Sequence, residues 1–238
     1  MATWAILLFI ATMLVLLLPF LLFSYPAKDP SKTRRFLKYA RVWMGIFLPL
    51  IGCPMRVRGR SNFEKENSYV VICNHNSFMD VPVSCTAVPG TSKTIAKIEM
   101  AKTPIFGMMY RTGSVLVDRK SDASRKESYV QMKKVLDMGM HMCIYPEGTR
   151  NKTGQPLKSF HDGAFRLSID TGKALMPAII FNTKKVLPAS KPFFLSPHKL
   201  EIHFLPAVAP APDDTVESLK TKLFRIMTEY YVANAGKL

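Results

Sequence analysis

The chain has 238 residues, enough for one sizeable domain with an appendage and short for two full ones. Its 33 Lys and Arg outnumber 17 Asp and Glu, for a formal charge of +16, which favours anionic partners: phospholipid headgroups, phosphorylated metabolites or nucleic acid. Four cysteines, Cys53, Cys73, Cys85 and Cys143, stand in apolar surroundings without C-x-x-C spacing, which argues against a disulfide framework and against a structural zinc.

Residues 4–23, WAILLFIATMLVLLLPFLLF, are apolar and uncharged over about the 20 residues a helix needs to cross a hydrocarbon core, and they predict a membrane-spanning anchor. No basic residue precedes the run, as one would in a cleaved signal peptide. Lys28, Lys32, Arg34, Arg35, Lys38 and Arg41 follow it, which places the bulk of the chain on the cytoplasmic side and draws it toward anionic lipid. A second apolar stretch, 42–53, is too short to span. It reads as an interfacial segment, a second helix beside the first, or a core helix. The expected organisation is a membrane anchor over 1–53, including a basic linker, and a globular domain over 54–238.

Beyond the anchor, strand patterns at 68–73, 94–98, 114–118, 141–145, 175–180 and 200–208 alternate with helical rhythm at 127–139 and 163–171. A last helix is expected over 214–231, with Asp213 or Asp214 as N-cap. Such alternation predicts an α/β domain: a largely parallel mixed sheet with helices on both faces. Three strands then deliver polar residues at their carboxyl ends: Asn74 and His75, Arg119, and Glu147, Gly148, Thr149 and Arg150. In open α/β sheets the ligand crevice lies at those ends, so the three segments are expected to meet there.

His75 and Asp80 would point about 140° apart on a regular helix, so they can pair only across a turn, for which Asn76 and Ser77 are suited. A carboxylate bonded to one ring nitrogen leaves the other free to act as a general base. G-x-S-x-G is absent, so the base is expected to act on a hydroxyl of the substrate. The YPEGTR segment, 145–150, offers backbone N–H groups and a guanidinium that suit a phosphate or an oxyanion; a plain surface turn is the alternative. No basic motif with interleaved aromatics appears, which argues against nucleic acid.

Four blocks in order, N-H-x-S-x-x-D at 74–80, KIEMAKTPIFGMMYRTGSVLVDR at 97–119, YPEGTR at 145–150 and MPA at 176–178, resemble those of the glycerolipid acyltransferase family over roughly 54–210. Met100 stands where the commoner family form has Leu. The resemblance implies transfer of an acyl chain from acyl-CoA or acyl-acyl carrier protein to the sn-2 hydroxyl of 1-acyl-glycerol-3-phosphate, with no bound cofactor and no metal. It implies His75 as general base, Asp80 as its orienting partner and Lys97 as oxyanion stabiliser. It further implies Asn74, Arg119, Glu147, Gly148, Thr149 and Arg150 at the acceptor, and a membrane bilayer as partner. Another lysolipid acceptor, such as a lyso-ornithine lipid or monolysocardiolipin, is the alternative, as is a non-catalytic lipid-binding protein on the same fold.

Overall fold

In the computed structural model, residues 2–237 are described except 20, 21, 23–25, 189, 192 and 193. Two long helices come first, α1 (Ala2–Pro19) and α2 (Ser31–Leu50). They pack on each other through Phe9, whose ring meets Trp43 and Phe47, and through a 2.8 Å hydrogen bond from Trp43 Nε1 to Thr12 Oγ1. Of the anchor expected over 4–23, α1 covers the residues up to Pro19 and has one face engaged by α2, while 20, 21 and 23 lie outside the described residues. Among the described residues no helix is long and apolar enough to cross a membrane. The basic stretch expected as a linker forms the first half of α2.

The rest alternates strand and helix: β1 (Met55–Arg58), which is not among the strands expected from the sequence, β2 (Val70–Cys73), α3 (Asp80–Ala87), β3 (Ser92–Lys97), α4 (Phe106–Gly113), β4 (Ser114–Val117), α5 (Asp122–Asp137) and β5 (His141–Ile144). There follow α6 (Gly163–Thr171), β6 (Leu175–Phe181), α7 (Thr183–Val186), β7 (Leu200–Phe204) and α8 (Val216–Ala235). The strands form one sheet in the order β1-β7-β6-β2-β5-β3-β4, with every neighbouring pair parallel except β6 and β7. The α/β fold with a largely parallel mixed sheet is therefore observed.

Period-two alternation divides the core between the two faces. Val71, Cys73, Met176, Ala178 and Ile180 face one cluster that includes Trp43, Met44, Phe47 and Leu48 of α2 and Val83 of α3. Val70, Ile72, Leu175, Ile179 and Phe181 face the other, against Met132 and Leu136 of α5, Phe165 of α6 and Leu219, Leu223 and Met227 of α8. The central strands β2, β5 and β6 are buried on both faces, as a covered parallel sheet requires. The four cysteines are free. With β2 and β5 adjacent and parallel, the loops after them start side by side at the carboxyl ends of the strands, where the polar residues are delivered.

Candidate active site

After β2 the chain turns through 74–79 before α3 begins at Asp80. Asn74 is fully buried, and its side chain behaves like one more strand residue: Nδ2 donates to Ile180 O at 3.0 Å and Oδ1 accepts from Ile180 N–H at 2.7 Å. The following turn is gathered by one carboxylate. Asp80 Oδ2 accepts from Asn76 N–H at 2.6 Å and Ser77 N–H at 2.7 Å and lies 2.8 Å from His75 Nδ1. Asp80 is wholly buried, whereas the His75 ring is partly open to solvent. An ionised carboxylate can only accept, so this arrangement puts the ring proton on Nδ1 and leaves the lone pair on Nε2. The imidazole also lies on the Tyr145 ring, with centroids 4.4 Å apart and planes at 32°. Tyr145 is held in turn through a 2.7 Å contact between its hydroxyl and Ser84 Oγ.

The loop after β5 is tied to the same turn. Glu147 is fully buried; its Oε1 accepts His75 N–H at 2.8 Å and its Oε2 accepts Lys158 N–H at 3.1 Å. Asn151 N–H donates to His75 O at 2.6 Å. The Glu147 carboxyl is pushed up to about 7 by burial, against the lowering effect of its two backbone donors. Its oxygens are thus spent on the protein's own backbone.

Arg119, just past β4, reaches across to donate to Gly148 O. Thr149 accepts from Lys158 Nζ at 2.9 Å. Arg150 Cζ lies over the exposed ring of Phe78, 3.6 Å from its centroid, and Phe78 belongs to the turn between His75 and Asp80. Lys97 closes β3 and its side chain is exposed, with β5 between its strand and that of His75. The structure thus brings together His75, Asp80, Glu147, Gly148, Thr149, Arg119 and Arg150, buries Asn74 beneath them, and places Lys97 exposed at the end of β3, beyond β5. Tyr145, Phe78 and Lys158 join the site without having been singled out. Phe78 and Tyr145 lie inside quoted motifs, whereas Lys158 sits in an irregular loop without a pattern to mark it.

Gly148 has φ +68°, where an L side chain is strained, and a Cβ there would stand 2.6 Å from the His161 ring. Gly148→Ala is expected to cost roughly 1–2 kcal/mol in backbone strain. By shifting the turn that Arg119 grips, it is also expected to lower kcat/KM by about tenfold to a hundredfold. Thermal melts and steady-state kinetics on the same preparation check both.

A family model described as Acyltransferase matches residues 54–181, more than half of the chain. The 1-acyl-sn-glycerol-3-phosphate acyltransferase alpha of Mus musculus is 29% identical over 196 residues, 79% of this chain and 68% of the mouse protein. The human protein of the same name is 32% identical over 134 residues, covering 55% of this chain and 47% of its own length. The 1-acyl-sn-glycerol-3-phosphate acyltransferase of Cocos nucifera is 28% identical over 155 residues, 64% of this chain and 49% of that protein. The matches thus span from about half to two thirds of these relatives. In fold, the chain is similar to the crystal structure of the 1-acyl-sn-glycerophosphate (LPA) acyltransferase PlsC from Thermotoga maritima. The TM-score is 0.81 at 24% identity, over 97% of this chain and 95% of that one. The matched region carries β1 through β6 and every residue of the His75–Asp80 and Glu147–Arg150 turns, and on that basis the chain belongs to the Acyltransferase family.

Proposed function

We propose that this protein transfers an acyl chain from an acyl thioester, carried by coenzyme A or acyl carrier protein, to the sn-2 hydroxyl of 1-acyl-glycerol-3-phosphate, giving phosphatidic acid. The observation that carries the reading is the His75–Asp80 pair, joined through Glu147 to the Gly148–Thr149 turn that Arg119 grips, with Arg150 over Phe78 of the His75–Asp80 turn. The names of the relatives support the choice of acceptor.

In this reading, His75 Nε2 takes the proton of the acceptor hydroxyl as its oxygen attacks the thioester carbonyl carbon. The tetrahedral intermediate collapses with cleavage of the carbon–sulfur bond, and the imidazolium returns its proton to the departing thiolate. Asp80 holds the ring and balances its transient charge. Direct transfer forms no acyl-enzyme. Arg119 and Arg150 attract the acceptor phosphate, for which planar guanidinium groups are well matched. Lys97, exposed at the end of β3, is the candidate to stabilise the oxyanion, while Asn74 and Glu147 serve by holding the two loops in place.

The acceptor resides in a bilayer, and α1 and α2 expose Trp4, Leu7, Leu14, Val42, Ile46 and Leu50. An apolar face of this kind, next to the basic residues of α2, suits interfacial binding on the cytoplasmic leaflet.

The test is a panel of lysolipids presented to the purified full chain with each donor type. The expected result is thioester consumption with lysophosphatidic acid and a product with the mass of phosphatidic acid. Turnover confined to a different lysolipid would overturn the acceptor assignment.

A further inference from the structure

The Gly148–Thr149 turn is held by more positive charge than the motif residues supply. Lys158, from the loop that leads to α6, donates its backbone N–H to Glu147 Oε2 at 3.1 Å and its Nζ to Thr149 Oγ1 at 2.9 Å. His161, at the end of the same loop, donates its backbone N–H to Pro146 O at 2.8 Å. Its ring is laid against Gly148, so that a Cβ on that glycine would meet Cδ2 at 2.6 Å and Nε2 at 2.8 Å. His161 is exposed at the surface, and Arg119 grips the same glycine through its carbonyl oxygen.

Three groups able to carry positive charge therefore converge on two residues from two separate segments. The carboxylates nearby, Glu147 beside Lys158 and Asp162 beside His161, offset them only in part. Glu147 is buried beneath the turn with both oxygens bonded to backbone, and Asp162 is bonded to Lys220 at 2.9 Å. Lys158 Nζ uses one donor on Thr149 and keeps two, and the Arg119 guanidinium keeps several. Three groups able to carry positive charge against two carboxylates that are already engaged leave the turn with an excess of positive charge, which favours an anion.

We propose that Lys158 and His161, together with Arg119, form the seat for the acceptor's phosphate, with Lys158 and His161 setting the preference for a phosphorylated over a neutral glyceride. The phosphate's terminal oxygens would take Lys158 Nζ–H, the His161 ring N–H and an Arg119 N–H, while the alcohol of the same molecule turns back to His75. The proposal rests on the acyltransferase reading above and adds the residues that select its acceptor.

Two measurements separate the site from that reading. In the first, kcat/KM is compared for lysophosphatidic acid and for 1-acylglycerol, the same alcohol without phosphate, in wild type, Lys158→Met and His161→Gln. Each substitution is expected to lower the ratio of the two by about 10- to 100-fold, the weight of one charge-assisted hydrogen bond, with KM for the acyl donor unmoved. An unchanged ratio in both variants overturns the proposal.

In the second, the full chain is titrated with glycerol 3-phosphate while the imidazole proton signal of His161 is followed, identified by its loss in His161→Gln. A saturable shift, weakened in Lys158→Met, is expected. A His161 signal that does not move overturns the site whatever the enzyme's activity. A saturable shift in a protein that makes no phosphatidic acid keeps the anion site and sinks the acceptor assignment instead.

Discussion

Replacing His75 by Ala is expected to lower kcat by about 10²- to 10⁴-fold, the usual contribution of a positioned general base, and Asp80→Asn should fall in the same range for a different reason. In the wild type, Asp80 Oδ2 receives Asn76 N–H, Ser77 N–H and the His75 ring, while Oδ1 is buried without a hydrogen-bond partner. An asparagine can keep its amide oxygen at the first position, so the turn and the ring tautomer survive, and its NH2 falls where Oδ1 lay. That buried, unpaired NH2 costs roughly 1–3 kcal/mol of stability. What disappears is the negative charge that balances the imidazolium as the proton arrives. A folded Asp80→Asn protein with unaltered KM values and a collapsed kcat is the expected signature. Full activity in Asp80→Asn would show that the carboxylate only shapes the turn, and full activity in His75→Ala would remove the base from the mechanism.

The pairing of His75 with Asp80 was legible because it is local: a five-residue separation, turn formers between, and a buried apolar strand ahead. The central strands were legible for the same reason, since runs such as Val70–Cys73 and Leu175–Phe181 bury both faces and leave no other use for their side chains. Edges were harder. β1, with Met55 and Val57 alternating with Arg56 and Arg58, spans four residues at the border of the sheet and carries too little apolar signal to stand out. The strand expected to run to 208 stops at Phe204, and Val208 survives as an isolated bridge to Leu175. The N-cap of α8 is Thr215, which forms a capping box with Ser218, one residue beyond the aspartates expected there. Glu147 was illegible in its role, because the two N–H groups that it receives come from His75 and Lys158, 72 and 11 residues away in sequence. Composition at 145–150 allows a surface turn or a phosphate ligand, and only the packing of β2 beside β5 turns the carboxylate inward.

Glu147→Ala is expected to impair both stability and activity although the carboxylate is turned toward backbone. It strands two backbone N–H groups, at a cost of roughly 2–5 kcal/mol, and frees the main chain of His75 from the loop that carries Gly148 and Arg150. A base displaced by even an ångström forfeits much of its rate, so kcat should drop by about a hundredfold in whatever protein remains folded. Glu147→Gln is the sharper probe, because it keeps the volume and removes the titration. Burial raises the wild-type carboxyl from its ordinary 4.5 to about 7, so the folded protein holds this proton more tightly than the unfolded chain does. The resulting contribution, about 3 kcal/mol, is fully present below pH 4.5 and is lost as pH rises through about 7. Glutamine has one acceptor for two donors, and its NH2 must face one of the N–H groups; the variant should therefore be clearly less stable than wild type at pH 4.5. Toward pH 8 the wild type loses its proton-linked share and the variant does not, so the gap between their melting temperatures should narrow. Parallel curves from pH 4.5 to 8 would mean that Glu147 is ionised throughout. The two loops would then be joined by a permanent anion beneath the proposed phosphate seat, and its repulsion of the acceptor would have to be offset by Arg119, Lys158 and His161.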